Sequence, residues 1–317
     1  MRAPVVAAAV VAALASCCPA TWCPEGANLM PCRCHEYAIG LRVTCTGIRN
    51  PRQLVGPFTY LRDYELNSLT LQDVNFSITV HLFEGLRVTT IRIVSSTFHI
   101  EDAPFHGRAD TALVLGTRIN FLDVRHTDLD FGNAHLAAMN SLEHVMVDTS
   151  TIQVLRKNWF HGLTQLKSFA IENTRIDRVE EQALSGLDSV EEIKLPANKL
   201  YRVQRNYFPH LAASLRFLDF SDNKLTSLPH DMFENMPVLE SVMLSRNKFK
   251  TLSPAPWRPM LRQLHSIKLD GNPIDCGANI SWLLEGDARH KISGTCTTPR
   301  LLAGVSISEL NDTRYSR

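Results

Sequence analysis

The chain has 317 residues, 44 % hydrophobic and 21 % charged, and its 33 Lys and Arg against 32 Asp and Glu leave a formal charge of +1. That balance gives no electrostatic bias toward nucleic acid or an anionic membrane. The length suits either two globular domains or one elongated repeat array. At the N-terminus, Arg2 precedes an apolar run from Val5 to Ala15 that closes on the small-residue site Ala13-Leu14-Ala15. The run is too short to span a bilayer and predicts a cleaved secretory signal over residues 1–20. Leu14-Ala15-Ser16-Cys17 also fits a bacterial lipoprotein cleavage box, a reading outweighed by the cysteine pattern that follows. No later stretch reaches the roughly 18 uninterrupted apolar residues of a spanning helix, and the tail NDTRYSR is too polar for a lipid-anchor signal. The expectation is a secreted, extracellular protein without a membrane span.

Past residue 20 the cysteines are Cys23, Cys32, Cys34, Cys45, Cys276 and Cys296, an even number confined to the two ends. An oxidised protein with its bridges at both termini is the simplest account. Cys32-Arg33-Cys34-His35 carries zinc-ligand chemistry. In a secreted chain with further cysteines on either side, disulfides are the favoured reading.

Between the cysteine clusters the chain aligns with itself. LRFLDFSDNKL from Leu215, LESVMLSRNKF from Leu239 and LHSIKLDGNPI from Leu264 share apolar residues at positions 1, 4, 6 and 11 and Asn at position 9. The frame extends upstream to Val190, Leu166, Leu142, Ile119, Val88 and Leu66, giving nine starts separated by 22, 31, 23, 24, 24, 25, 24 and 25 residues. Apolar residues recur eighteen positions after the start, at Phe160, Leu184, Phe208, Phe233 and Trp257, and three later, at Leu163, Leu187, Leu211, Met236 and Met260. The long interval after Val88 predicts a protruding loop around His106 to Thr111. A period of 20 to 29 residues in this pattern is the leucine-rich repeat.

Positions 4 and 6 point the same way on a short strand, so each repeat contributes one strand of a parallel sheet and buries those side chains against its neighbours. Strands stack about 4.8 Å apart while the return segments are bulkier, so the array curves with the strands on its concave surface. The predicted fold class is therefore an α/β-type solenoid, a curved leucine-rich-repeat horseshoe of about nine repeats with a parallel β-sheet on the concave face and disulfide-bonded caps. Its parts are a cap over residues 21–65, repeats over 66–275 and a second cap and tail over 276–317. Position 9 holds Asn198, Asn223, Asn247 and Asn272, but Ser96, Thr127, Ser150 and Thr174 earlier, and Val74 first. Amides satisfy more backbone groups than hydroxyls do, which predicts a less regular N-terminal half.

Cys23-Pro24, Cys32-Arg33-Cys34 and Cys45 resemble the N-terminal flanking cap of extracellular leucine-rich-repeat proteins, a resemblance that implies pairs Cys23–Cys34 and Cys32–Cys45. NPIDCGANISWLLEG followed by GTCTTPRLLAG resembles the matching C-terminal cap with two of its four cysteines missing, Ala278 standing at one of the vacated positions. That leaves Cys276 with Cys296. The whole chain after the signal resembles the secreted arthropod leucine-rich-repeat proteins that include the non-catalytic subunit of shrimp luciferase, on the cap spacing CPEGANLMPCRC. This resemblance implies an accessory, non-enzymatic role.

Twelve histidines are scattered without HExxH spacing, and neither a G-x-S-x-G elbow nor a Walker-type glycine loop occurs. The expectation is no enzyme, no cofactor and no metal site. Asn75-Phe76-Ser77, Asn279-Ile280-Ser281 and Asn311-Asp312-Thr313 are glycosylation sequons at predicted surface positions, the first beside the N-terminal cap.

Positions 3, 5, 7 and 8 are expected to face away from the core on the concave side. They carry Asp73, Asp123, Asp148, Glu172, Glu192, Asp219, Asp222 and Asp270 against Arg92, Arg125, Lys194, Arg246 and Lys268, a mixture of signs that argues against a polyanion ligand. Phe121, Asp123, Arg125 and His126, with His144, Met146 and Asp148 on the next strand, form the richest group, and Phe217, Asp219 and Met243 a smaller one. Aromatic, Met and Arg side chains are enriched in interface cores. Phe121 and Met146 could equally cover gaps between irregular repeats. The predicted function is binding of another protein. A microbial glycan or lipid ligand, in innate-immune recognition, and a place in the extracellular matrix are the alternatives.

Overall fold

The computed structural model describes residues 22–24, 26–78, 80–83, 85–100, 118–130, 136–157, 159–284 and 288–310. The predicted signal over residues 1–20, the loop predicted around His106 to Thr111 and the sequon at Asn311 lie outside them.

The strands in chain order are β1 (Cys32–Tyr37), β2 (Gly40–Thr46), β3 (Glu65–Gln72), β4 (Asn75–Ile78), β5 (Arg87–Val94), β6 (Thr97–Ile100), β7 (Phe121–Asp130), β8 (His144–Ser150) and β9 (Val154–Leu155). They continue with β10 (Ser168–Glu172), β11 (Arg178–Val179), β12 (Glu192–Lys194), β13 (Phe217–Asp219), β14 (Ser241–Met243), β15 (Ser266–Lys268), β16 (Ile274–Asp275), β17 (Ile292–Ser293) and β18 (Cys296–Thr298). One strand from each of the nine repeats, β3, β5, β7, β8, β10 and β12 to β15, lies in sequence order in one parallel sheet. Pairing keeps the repeat register throughout: Phe121 faces His144, then Ser168, Glu192, Phe217, Ser241 and Ser266. All seven occupy position 3, so equivalent side chains form continuous rows along the concave face.

The two caps extend the sheet beyond the repeats. β2 adds in parallel to β3 with β1 antiparallel outside it, and β17 adds in parallel to β15. The N-terminal cap also holds the helix α1 (Arg52–Leu61), which buries Leu54, Pro57, Phe58 and Leu61, the helical spacing of one apolar face. Disulfides Cys23–Cys34 and Cys32–Cys45 tie this cap, and Cys276–Cys296 ties the other. Trp282 of the second cap is buried and donates its Nε1–H to the Leu252 carbonyl at 2.9 Å.

Inside the coil, positions 1, 4 and 6 are buried in every repeat, as at Leu215, Leu218 and Phe220. Phe160, Leu184, Phe208, Phe233 and Trp257 fill the return side. Phe160 meets Phe169 edge-on at 4.7 Å, and Phe233 meets Trp257 at 5.0 Å. One expected core residue is corrected: Leu211 is 55 % exposed, and Ala212 takes the interior place. The repeat from Val190 to Leu215 is 25 residues long, one more than its predecessor, and the extra residue falls before this position.

A turn at position 8 drives position 9 inward. Asp73, Ser95, His126, Thr149, Asn173, Ala197, Asp222 and Arg246 all have φ between 48° and 56°, and Gly271 has 74°. Left-handed backbone at non-glycine residues costs on the order of 1–3 kcal/mol and persists only where surroundings enforce it. Here, in both halves, the amide of position 8 donates to the position-7 carbonyl of the next coil: Asp73 to Val94, Ser95 to Arg125, Asn173 to Pro196, Ala197 to Ser221, Asp222 to Ser245 and Arg246 to Asp270. In the C-terminal half the asparagine that follows is held more firmly still. Asn223 donates through Nδ2 to the carbonyls of Leu195, Phe220 and Ser221 at 2.9, 3.1 and 3.1 Å and accepts at Oδ1 from the Leu200 amide at 2.9 Å. Asn247 repeats the set one coil on.

Candidate binding face

The concave rows bring the predicted residues together as the register requires. Phe121 lies beside His144, Asp123 beside Met146 and Arg125 beside Asp148. The Phe121 and His144 rings meet edge to face at 5.8 Å. Phe121, Arg125 and Met146 are half-buried and His144 is exposed, so this group stands on the surface of the sheet. Phe217, Asp219 and Met243 form the second group on β13 and β14, with Lys194 placed 5.3 Å over the Phe217 ring.

Two expectations for this face are corrected. Asp123 does not present its carboxylate: its side chain is only 1 % exposed, although its position on the strand points outward. Arg92, from β5, covers it with Nε 3.1 Å from Oδ2, and Arg125 with Nε 2.7 Å from Oδ1. His126 takes no part in the paired rows: it stands at the left-handed turn position, exposed, and the β7–β8 ladder passes from Arg125 to Thr127 without pairing it. Arg92 is the residue that sequence reasoning left out of the site. It sits at position 5 of the preceding repeat, directly opposite Asp123. An acid and a base at one repeat position in consecutive repeats are the signal for such a pair.

Electrostatics change along the face. Asp123 raises the Arg125 pKa above the ordinary guanidinium value through its hydrogen bond and its charge. The Arg125 Nη2 reaches the Met146 sulfur at 3.8 Å. Beyond β8 the surface turns acidic: burial, then the charges of Asp148 and Asp219, raise the Glu172 pKa above the usual carboxylate range, with Lys194 and Arg125 opposing. Asp148 accepts from Asn173 Nδ2 at 2.8 Å and Thr149 Oγ1 at 3.1 Å. Glu192 pairs with Lys194 at 2.6 Å, and Asp222 pairs with Arg246. Among the described residues no group of three His, Cys, Asp or Glu side chains is placed to hold a metal ion.

Of the three sequons, Asn75 is exposed at the start of β4, Asn279 falls in a short 3-10 segment over Ala278–Leu284, and Asn311 lies outside the described residues.

A family model described as leucine rich repeat matches residues 140–200 and 213–274. The chain is 26 % identical to CD180 antigen of Mus musculus over 198 residues, covering 60 % of this chain and 29 % of that protein. It is 27 % identical over 220 residues to oligodendrocyte-myelin glycoprotein of Homo sapiens, covering 68 % of this chain and 47 % of that protein. Against epiphycan of Homo sapiens the identity is 27 % over 154 residues, 39 % of this chain and 46 % of that protein. With its repeat register and paired caps, the chain is a leucine-rich-repeat protein related to extracellular leucine-rich-repeat proteins. It spans less than half the length of each of these relatives.

Proposed function

We propose that the chain is a secreted, non-enzymatic module that binds another protein through the concave face of β5, β7 and β8, as an accessory to that partner. The observation that carries this reading is the juxtaposition of Phe121, Arg125, His144 and Met146 from consecutive repeats in one half-exposed patch. Aromatic, Met and Arg side chains are the groups enriched at interface cores. Three disulfides and the kinship with extracellular repeat proteins support action outside the cell. The accessory role follows from the resemblance of the N-terminal cap to the arthropod proteins, and it belongs to the same proposal.

A pull-down from the native fluid with the purified protein, read by mass spectrometry, tests the reading. One protein recovered in stoichiometric amount supports it. Association with microbial surfaces without such a protein, or partition into insoluble matrix, contradicts it in favour of glycan or lipid recognition or a matrix role.

A further inference from the structure

Asp123 is a carboxylate at a solvent-facing strand position, yet almost nothing of it meets solvent, because both its oxygens are taken by arginine Nε groups. Arg92 and Arg125 themselves remain 38 % and 43 % exposed. A guanidinium anchored through Nε keeps further N–H donors on its Nη groups, in the planar fork geometry that matches a carboxylate, and of these the Arg125 Nη2 already reaches the Met146 sulfur at 3.8 Å. The buried acid therefore fixes two such forks on one spot of the concave face and removes much of the rotamer entropy that arginine loses on binding. One aspartate against two arginines leaves this spot positive. Phe121, in contact with His144, supplies an apolar wall one row away. Beginning beside Arg125 itself, which Asp148 faces across the β7–β8 pair, Asp148, Glu172 and Asp219 form an acidic stretch from β8 to β13, in which burial first and then the charges of Asp148 and Asp219 raise the Glu172 pKa.

From this polarity we infer that the partner docks through a peptide segment in which an acidic side chain next to an aromatic or aliphatic one meets Arg92, Arg125 and Phe121, and basic side chains further along meet Asp148, Glu172 and Asp219. The inference rests on the concave-face reading and assigns the partner's chemistry and direction along the sheet. Asp123 acts as a positioning residue that holds the two arginines. A continuous polyanion is disfavoured, because it would run from the arginines onto the acidic stretch and be repelled there.

Selection of a random short-peptide display library on the intact protein tests this directly. Peptides pairing Asp or Glu with an aromatic or aliphatic residue, followed by Lys or Arg, are expected to dominate. Their binding should fall about tenfold or more on Arg92→Ala and Arg125→Ala, equivalent to about 1.4 kcal/mol or more each. Asp123→Asn should still be secreted, with a lowered thermal midpoint because an amide NH2 then faces one of the two arginine Nε–H donors, and should erase the acidic preference among peptides selected on its folded form, an effect that a merely structural role would not produce. Asp123→Glu should restore that preference. If Asp123→Asn fails to fold, the two arginine variants, each of which leaves Asp123 one partner, decide the matter. Selection of peptides without acidic residues, no selection at all, or tight heparin retention lost in Arg92→Ala overturns the inference. If peptides bind and Phe121→Ala with Met146→Ala abolishes binding but the arginine variants do not, the inference fails while the concave-face reading stands. Binding indifferent to all of these variants removes both.

Discussion

The repeats from Val88 to Leu166 and those from Val190 to Leu264 hold the same register by different means. In the C-terminal set each strand is three residues long, and a buried asparagine at position 9 ties its coil to the one before. In the N-terminal set position 9 is a hydroxyl, and the strands run to eight, ten, seven and five residues. There β4, β6 and β7 also pair as a second parallel ladder on the flank, with Asn75 opposite Thr97 and Thr97 opposite Asp128. The hydroxyls do less than the amides. Ser96 accepts from the Val74 amide and donates to the Val94 carbonyl, Thr127 donates to the Arg125 carbonyl, and the buried Ser150 Oγ has no partner among the described residues. Where a side chain satisfies the turn, the backbone need pair only briefly; where it does not, the sheet lengthens. The longer strands also give the N-terminal half the broader concave rows, and the richest exposed group lies there.

The largest effect that bears on this comparison is at the ends both halves share. Replacing Cys276 and Cys296 together by Ala should cost about 2 to 5 kcal/mol, the usual range for a native disulfide. Hydrogen exchange should show the loss as fraying from β17 and β15 inward. Uniform destabilisation reaching β5 would mean that the array unfolds as one unit and that the two halves are not distinct.

Asn223→Ala leaves the carbonyls of Leu195, Phe220 and Ser221 and the amide of Leu200 without this partner inside the coil, and should cost about 1 to 3 kcal/mol in chemical denaturation. Ser150→Ala removes a hydroxyl that has no such partner, so it should be within about 0.5 kcal/mol of neutral, and so should Ser221→Ala on the concave side. Equal costs at Asn223 and Ser150 would erase the distinction between the halves.

The smallest effect concerns charge. The folded Glu172 pKa is raised, so this carboxylate's unfavourable contribution is fully present above its folded pKa and absent below its unfolded one. Glu172→Gln should therefore raise the midpoint at neutral pH, with the gain shrinking to nothing as pH falls below the ordinary carboxylate range. A gain independent of pH would point to packing instead.

Much of this was legible from the period of the chain. Leu218 and Phe220 read as core because apolar residues recur at positions 4 and 6, and Phe121 could be placed beside His144 because parallel repeats stack equivalent positions. The turn at position 8 was not legible, since Asp, Ser, His, Thr, Asn, Ala, Arg and Gly all occupy it and only the hydrogen bonds to the next coil reveal the shared geometry. Leu211 misled because one inserted residue shifts the phase within a single repeat without altering its composition. Asp123 misled because strand alternation tells which way a side chain points but not what folds over it, and half of its cover comes from Arg92, 31 residues earlier.

The central claim, that the concave group on β7 and β8 is a recognition surface rather than packing, is tested most directly by the double variant Phe121→Ala, Met146→Ala against the partner recovered from the native fluid. Truncating true interface anchors commonly costs 2 kcal/mol or more, about thirtyfold in affinity. The double variant should be secreted, keep its thermal midpoint and lose at least that much binding, whereas changes at the exposed Arg178 and Arg202 outside the concave rows should leave affinity intact. A variant that loses stability yet binds at full strength in its folded fraction would contradict the claim, because Phe121 and Met146 would then be packing residues.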